Sequence, residues 1–69
     1  MNGLPITVNG EARQVAAGST VADLVAAVAP SPKGIAVAVN AEVVPRSTWP
    51  ATPVRAGDRI ELLTAAQGG

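Results

Sequence analysis

Residues 4–28 read LPITVNGEARQVAAGSTVADLVAAV and predict a β-hairpin followed by a helix. Apolar residues occupy every second position from Leu4 to Val8, which is the period of a strand with one buried face. Asn9-Gly10 follows at once and suits a two-residue type I′ turn, because both central positions of that turn need a positive φ. The return strand is predicted over residues 11–15.

The second half of this stretch predicts a short helix that begins at Thr20. Thr20 stands three residues before Asp23, which resembles a capping box with Asp in the place of Glu. The helix is expected to end near Ala29, because Pro30-Ser31-Pro32 cannot continue it. Four apolar residues at helical spacing form the face that must pack on a sheet: Val21, Leu24, Val25 and Val28.

The rest of the chain predicts three further strands. Residues 35–39 are all apolar, which is typical of a central strand. A short strand over residues 42–44 and a last strand over residues 59–64 complete the set. Residues 46–50 are expected to form a turn or a 3₁₀ segment, in which Trp49 covers the edge of the core and donates its ring N–H to a carbonyl.

These elements predict an α+β domain of the β-grasp type, with a mixed sheet of four to five strands packed on one helix. The first and last strands are expected to run parallel at the centre of the sheet. Residues 1–64 would form the domain. Residues 65–69 would form a flexible C-terminal tail, because nothing in AAQGG can anchor it.

Composition narrows the function further. The chain has 69 residues, five positive and five negative charges, and neither Cys nor His. We therefore expect no metal site, no disulfide and no Cys–His or Ser–His nucleophile. The neutral charge predicts no nucleic-acid partner, and the absence of a long apolar run or secretory signal predicts a cytoplasmic protein with no membrane partner.

The more specific segments of the chain are Val37-Ala38-Val39-Asn40, Glu42-Val43-Val44-Pro45-Arg46-Ser47, Trp49, Gly57-Asp58-Arg59-Ile60-Glu61 and the terminal Gly68-Gly69. Taken together, they resemble the thiamine-biosynthesis sulfur carrier proteins, which are ubiquitin-like. The Asn9-Gly10 turn and the helix start over residues 20–24 are also similar to that family. Many members have Asn-Gly where this chain has Asn40-Ala41, and Ala tolerates a positive φ poorly, which favours a turn of another type here.

The resemblance implies a carrier protein that is a co-substrate of other enzymes and not itself an enzyme. An adenylyltransferase similar to ubiquitin-activating proteins would use ATP to adenylate the Gly69 carboxylate. A sulfur-donating enzyme would convert it to a thiocarboxylate, and thiazole synthase would accept the sulfur. ATP belongs to the activating partner, and no cofactor is expected on this chain.

The residues suit this cycle. A chain without Cys has no thiol that could hold sulfur as a persulfide or disulfide. Gly68 and Gly69 have no Cβ, so they can thread a narrow channel toward a buried ATP. Without the other matches, Gly68-Gly69 could equally be a frayed end that has no function.

Residues before the two glycines are candidates for partner binding. Leu63 is predicted on the outward face of the last strand, where it is either part of a docking patch or a singly exposed leucine. The tail residues Ala65, Ala66 and Gln67 would contact the partner as it takes up the chain end.

Two rival functions remain open at the level of sequence. The molybdopterin-synthase sulfur carrier shares the fold, tail and activation chemistry, although Pro45-Arg46-Ser47 favours the thiamine branch. A non-catalytic ubiquitin-like modifier or interaction module would instead end with Gly69 in an isopeptide bond to a lysine.

Overall fold

A computed structural model describes residues 3–29, 31 and 33–64 of the chain. Five strands form one sheet in the order β2-β1-β5-β3-β4, which confirms the predicted mixed sheet and the β-grasp topology. The elements in chain order are β1 (Gly3–Val8), β2 (Glu11–Ala16), α1 (Val21–Val28), β3 (Ile35–Val39), β4 (Glu42–Val44), a 3₁₀ helix (Arg46–Ala51) and β5 (Arg59–Thr64).

The last strand lies in the middle of the sheet. β5 pairs in parallel with β1 over Thr7↔Arg59 and Val8↔Ile60. On its other side β5 pairs antiparallel with the whole of β3, from Val39↔Ile60 to Ile35↔Thr64. The two hairpins β1–β2 and β3–β4 are antiparallel. The predicted parallel pairing of the first and last strands is therefore confirmed.

Proline in β1 is accommodated where the parallel pairing has not yet begun. The N–H groups of Thr7 and Asn9 both donate toward the β5 side. Pro5 lies two positions before Thr7, so its nitrogen, which carries no N–H, also faces the β5 side. At that point β5 has not yet begun, and no ladder hydrogen bond is lost. The Pro5 carbonyl instead accepts a hydrogen bond from the Gly57 N–H at 2.7 Å.

Helix α1 closes one face of the sheet. The predicted capping box is present, because the Thr20 side chain accepts from the Asp23 N–H at 3.2 Å and the Asp23 carboxylate accepts from the Thr20 N–H at 2.9 Å. Burial of the helix against the sheet holds together eight residues that would be only marginally helical alone. The buried core consists of Ile6, Val8, Val21, Leu24, Val25, Val37, Trp49, Val54 and Ile60.

The 3₁₀ helix brings the single aromatic residue into the core. Trp49 is buried, and its Nε1–H donates to the Val44 carbonyl at 3.0 Å, which confirms the predicted role. The Arg46 guanidinium lies over the ring at 5.9 Å from its centroid. Val54 joins the core because its N–H donates to the Ser19 carbonyl at 2.9 Å, next to the start of α1.

The two hairpin turns share one backbone pattern. Asn9 and Gly10 have φ values of 52° and 84°, as predicted for the first turn. Asn40 and Ala41 have φ values of 52° and 74°. The expectation of a different turn type at Asn40-Ala41 is therefore wrong: the hydrogen bonds of Asn40 fix the turn, and Ala41 takes up a left-handed conformation that favours glycine.

Across the described ranges 3–29, 31 and 33–64, α1 is the longest helix with eight residues, and no helix is long and apolar enough to cross a membrane.

Candidate functional site

The candidate site begins where β5 ends. Of the residues predicted to take part, Leu63 lies within the described residues. Ala65, Ala66, Gln67, Gly68 and Gly69 lie outside them, so their predicted roles stay predictions. The structure defines the end of β5, from which the chain continues toward these residues.

The end of β5 is held on its β1 side by a side chain. In a parallel ladder the N–H of Leu62 would next donate to the main-chain carbonyl of Asn9. The main chain has turned away at Asn9, and the Asn9 carboxamide takes its place. Its Oδ1 accepts from the Leu62 N–H at 2.8 Å, and its Nδ2 donates to the Leu62 carbonyl at 3.3 Å.

The start of β5 is held in the same manner by the other hairpin. Asn40 donates its main-chain N–H to the Arg59 carbonyl at 2.8 Å. Its Oδ1 accepts from the Arg59 N–H at 2.9 Å, and its Nδ2 donates to the Asp58 carboxylate at 3.0 Å. The second oxygen of Asp58 accepts from the Arg55 N–H at 2.8 Å, which confirms the predicted local role of Asp58 in its turn.

Both asparagines were predicted only as turn residues, and their side-chain contacts with β5 were missed. The contact between Asn9 and Leu62 spans 53 positions in the chain. Nothing local in the sequence indicates such a contact. The available signal is that each asparagine ends a strand that flanks β5, which becomes apparent only once the strand order is known.

The face of the sheet opposite α1 carries an apolar patch, which we call the outer patch: Ala36, Ala38, Val43 and Leu63. Leu63 is 63% exposed and Val43 is 76% exposed. The register places Ala36 beside Leu63 and Ala38 beside Val43, so two small side chains lie between the two large ones. Glu61, beside Ala38, and Arg59 add charge to the same face.

The outer patch extends the prediction for Leu63. The outward orientation of Leu63 is confirmed, whereas Val43 was not predicted as a surface residue. Leu63 therefore shares its sheet face with a second large exposed apolar residue, and its part in partner docking stays a prediction. The arrangement offers a shallow apolar surface directly before the chain end.

A groove of about 310 Å³ lies between α1 and the 3₁₀ helix. Its lining is mostly apolar and includes Ala22, Ala26, Trp49 and Pro50. Arg46 supplies the one charged side chain among the residues that line it, so the groove contains no acid–base pair. Within the part of the chain that the structure describes, no group of three carboxylates converges on a possible metal position.

Known proteins share this architecture. A model of the ThiS family matches residues 6–69. The sulfur carrier protein ThiS of Escherichia coli is 38% identical over 66 residues, which is 96% of this chain and all of that protein. A crystal structure of the thiamine biosynthesis protein ThiS from Geobacter metallireducens superposes with a TM-score of 0.83 at 33% identity, covering 96% of this chain and all of that one.

A third similarity is to part of a larger protein. Thiazole synthase of Paramagnetospirillum magneticum is 32% identical over 66 residues, which is 96% of this chain but only 20% of that protein. A segment of the size and sequence pattern of this chain therefore occurs inside a polypeptide named for the thiazole-forming enzyme.

Proposed function

Because this chain belongs to the ThiS family, it is a sulfur carrier of thiamine biosynthesis, and we propose that it carries the sulfur on the carboxylate of Gly69. It is a carrier rather than a catalyst. The observation that supports the position of the sulfur is the match to the family model, which continues through Gly69.

The chemistry of the chain supports a thiocarboxylate. Sulfur carried as a persulfide needs a cysteine, and the sequence has none. The main-chain carboxylate of Gly69 can hold sulfur once one of its oxygens is replaced. Gly68 and Gly69 leave the backbone free of side chains at the point that must enter a partner's active site.

Two partner enzymes would load the carrier. In the first, an adenylyltransferase similar to ubiquitin-activating enzymes, the Gly69 carboxylate attacks the α-phosphate of ATP and pyrophosphate leaves. A sulfur-donating enzyme then supplies sulfur at the oxidation level of sulfide. This sulfide attacks the acyl carbon of the adenylate, AMP leaves, and the thiocarboxylate of Gly69 remains. In this proposal the partner binds the ATP, and the reaction takes place in the cytoplasm.

Thiazole synthase is proposed as the acceptor of the sulfur. The Paramagnetospirillum magneticum thiazole synthase supports this partner, because a carrier-like segment joined to the enzyme is held at a high effective concentration beside it. Where a carrier and the enzyme are separate polypeptides, their encounter depends on a docking surface. The outer patch and the tail residues Ala65, Ala66 and Gln67 are the proposed surface.

The test of this function is mass spectrometry after incubation with the activating and sulfur-donating enzymes of the same organism. The wild type is expected to gain the mass that replacement of one oxygen by sulfur produces. Deletion of Gly69, or addition of one alanine after it, is expected to abolish the gain. A chain with the same alanine added before Met1 serves as the matched control.

The same measurement separates the rival functions. A thiocarboxylate on either tail variant would show that Gly69 is not the reacting position. A mass increase that corresponds to a lysine adduct would instead identify a ubiquitin-like modifier. The molybdopterin branch has no support from the family match, which is to ThiS.

A further inference from the structure

We propose that Asn9 is a positioning residue for the sulfur-transfer cycle, because its carboxamide fixes the main chain of β5 at Leu62, seven positions before Gly69. This inference rests on the proposed function, since it gives the contact between Asn9 and Leu62 a part in the delivery of Gly69. It concerns a side chain 60 positions before Gly69 in the sequence.

The two edges of β5 are supported unequally near its end. On the β3 side, backbone pairing continues to Ile35↔Thr64. On the β1 side it stops at Val8↔Ile60, followed by the single hydrogen bond from the Asn9 N–H to the Ile60 carbonyl at 2.9 Å. At Leu62 the Asn9 carboxamide supplies the two hydrogen bonds on that side.

Loss of this carboxamide would leave both main-chain groups of Leu62 to solvent. The end of β5 would then be a strand paired on one side only, free to twist or fray. Leu62 lies half-buried on the inner face and Leu63 exposed on the outer face. Rotation of this end would therefore change both the orientation of the outer patch and the starting direction of the tail.

The contact between Asn9 and Leu62 can affect the rate of adenylation because the reacting carboxylate of Gly69 lies only a short stretch of chain beyond it. The seven residues that follow Leu62, up to Gly69, can span at most roughly 25 Å when extended. Fraying of β5 at Leu62 would widen the range of positions that Gly69 can take relative to the outer patch before a partner captures it. Because misplacement of a reacting group lowers the rate of the chemical step, the effect should appear in kcat for adenylation.

The structure offers a matched control. Asn9 and Asn40 both have φ of 52°, both end a strand beside β5, and both place a carboxamide on its main chain. Asn9 contacts β5 at the tail end and Asn40 at the opposite end. Asn9→Gly and Asn40→Gly keep the backbone conformation accessible and remove the side-chain hydrogen bonds, so both should lower stability by similar amounts.

The experiment compares these two variants with the wild type in ATP–pyrophosphate exchange catalysed by the activating enzyme of the same organism. Asn9→Gly is expected to lower kcat about fivefold or more, and to raise KM by a smaller factor because Leu63 of the outer patch follows Leu62 directly. Asn40→Gly is expected to leave both constants near the wild-type values. Asn9→Asp, which keeps an acceptor for the Leu62 N–H, is expected to recover part of the lost kcat.

Hydrogen exchange gives a readout without any partner. The Leu62 amide should exchange about tenfold faster in Asn9→Gly, the factor that corresponds to one net hydrogen bond, and should be unchanged in Asn40→Gly. Equal effects of the two glycine variants on kcat, or an unchanged kcat in Asn9→Gly, would overturn the positioning role alone. A wild-type chain that is never activated would overturn the proposed function and this inference with it.

Discussion

Ala41→Gly is expected to stabilise the protein, because Ala41 has φ of 74° in the β3–β4 turn. A left-handed conformation costs a residue with a Cβ about 1–2 kcal/mol. Glycine removes that cost but adds about 0.4–1 kcal/mol of unfolded-state entropy that folding must overcome. The net gain is about 0.5–1 kcal/mol in the free energy of unfolding. The Ala41 side chain is exposed, so no buried packing is lost that would offset this gain.

Thermal and urea denaturation of Ala41→Gly measure this prediction. The melting temperature should rise by about 2–8 °C, since 1 kcal/mol corresponds to about 4–8 °C for a domain of this size. Ala36→Gly is the matched control, because Ala36 is also exposed but lies within β3 and is not among the residues with positive φ. It should lose about 0.5–1 kcal/mol. If Ala41→Gly is destabilised as much as Ala36→Gly, the turn stores no strain and the reasoning fails.

Three further substitutions test separate parts of the structure. Thr20→Ala removes the capping box and should lower the free energy of unfolding, measured in urea, by about 1 kcal/mol. The rate of thiocarboxylate formation should not change, and a changed rate would contradict a purely structural role. Trp49→Phe leaves the Val44 carbonyl without the Nε1–H donor and should lower the free energy of unfolding by about 1–3 kcal/mol. An unaltered denaturation curve would show that this hydrogen bond contributes nothing to stability. Leu63→Asp places a charge in the outer patch and should raise KM for the activating enzyme about tenfold, as expected when a docking residue is lost, with a native circular dichroism spectrum; an unchanged KM would make Leu63 a singly exposed leucine.

Local patterns in the sequence were sufficient to predict the strands and the helix, and their order was sufficient to predict the sheet topology. The alternation from Leu4 to Val8, the Thr20 cap and the apolar face of α1 each depend on neighbours within a few residues. For the same reason the capping box and the first turn could be predicted correctly. The parallel pairing of β1 with β5 followed from the order of elements, since a hairpin, a crossover helix and a last strand leave few other arrangements.

Contacts between distant residues could not be predicted in the same way. Val54 is buried because its segment pairs with Ser19 beside the start of α1, and no periodicity indicates this. Ala41 was misjudged because residue preference was weighed without the hydrogen bonds of Asn40, which hold the turn in spite of the strain. Val43 joined the outer patch through register alone. Gly68 and Gly69 lie outside the described residues, so the site itself is still a prediction from sequence.

In β5, the side chains of the inner face, the side chains of the outer face and the main chain have three different roles. Residues of β5 that point inward, Ile60 and Leu62, face the core, so their substitution should mainly change stability. Leu63 points outward, and its substitution should mainly change partner binding. The main chain lies between these two faces and is fixed in the plane of the sheet by β3, Asn40 and Asn9. The proposed reacting group of this carrier is a main-chain carboxylate, so its delivery depends most on how the main chain of β5 is held. Neither core burial nor partner docking alone determines the orientation of the end of β5. The contact of Asn9 with Leu62 is therefore the place where a small change in the fold should reach the chemistry at Gly69 without first unfolding the protein.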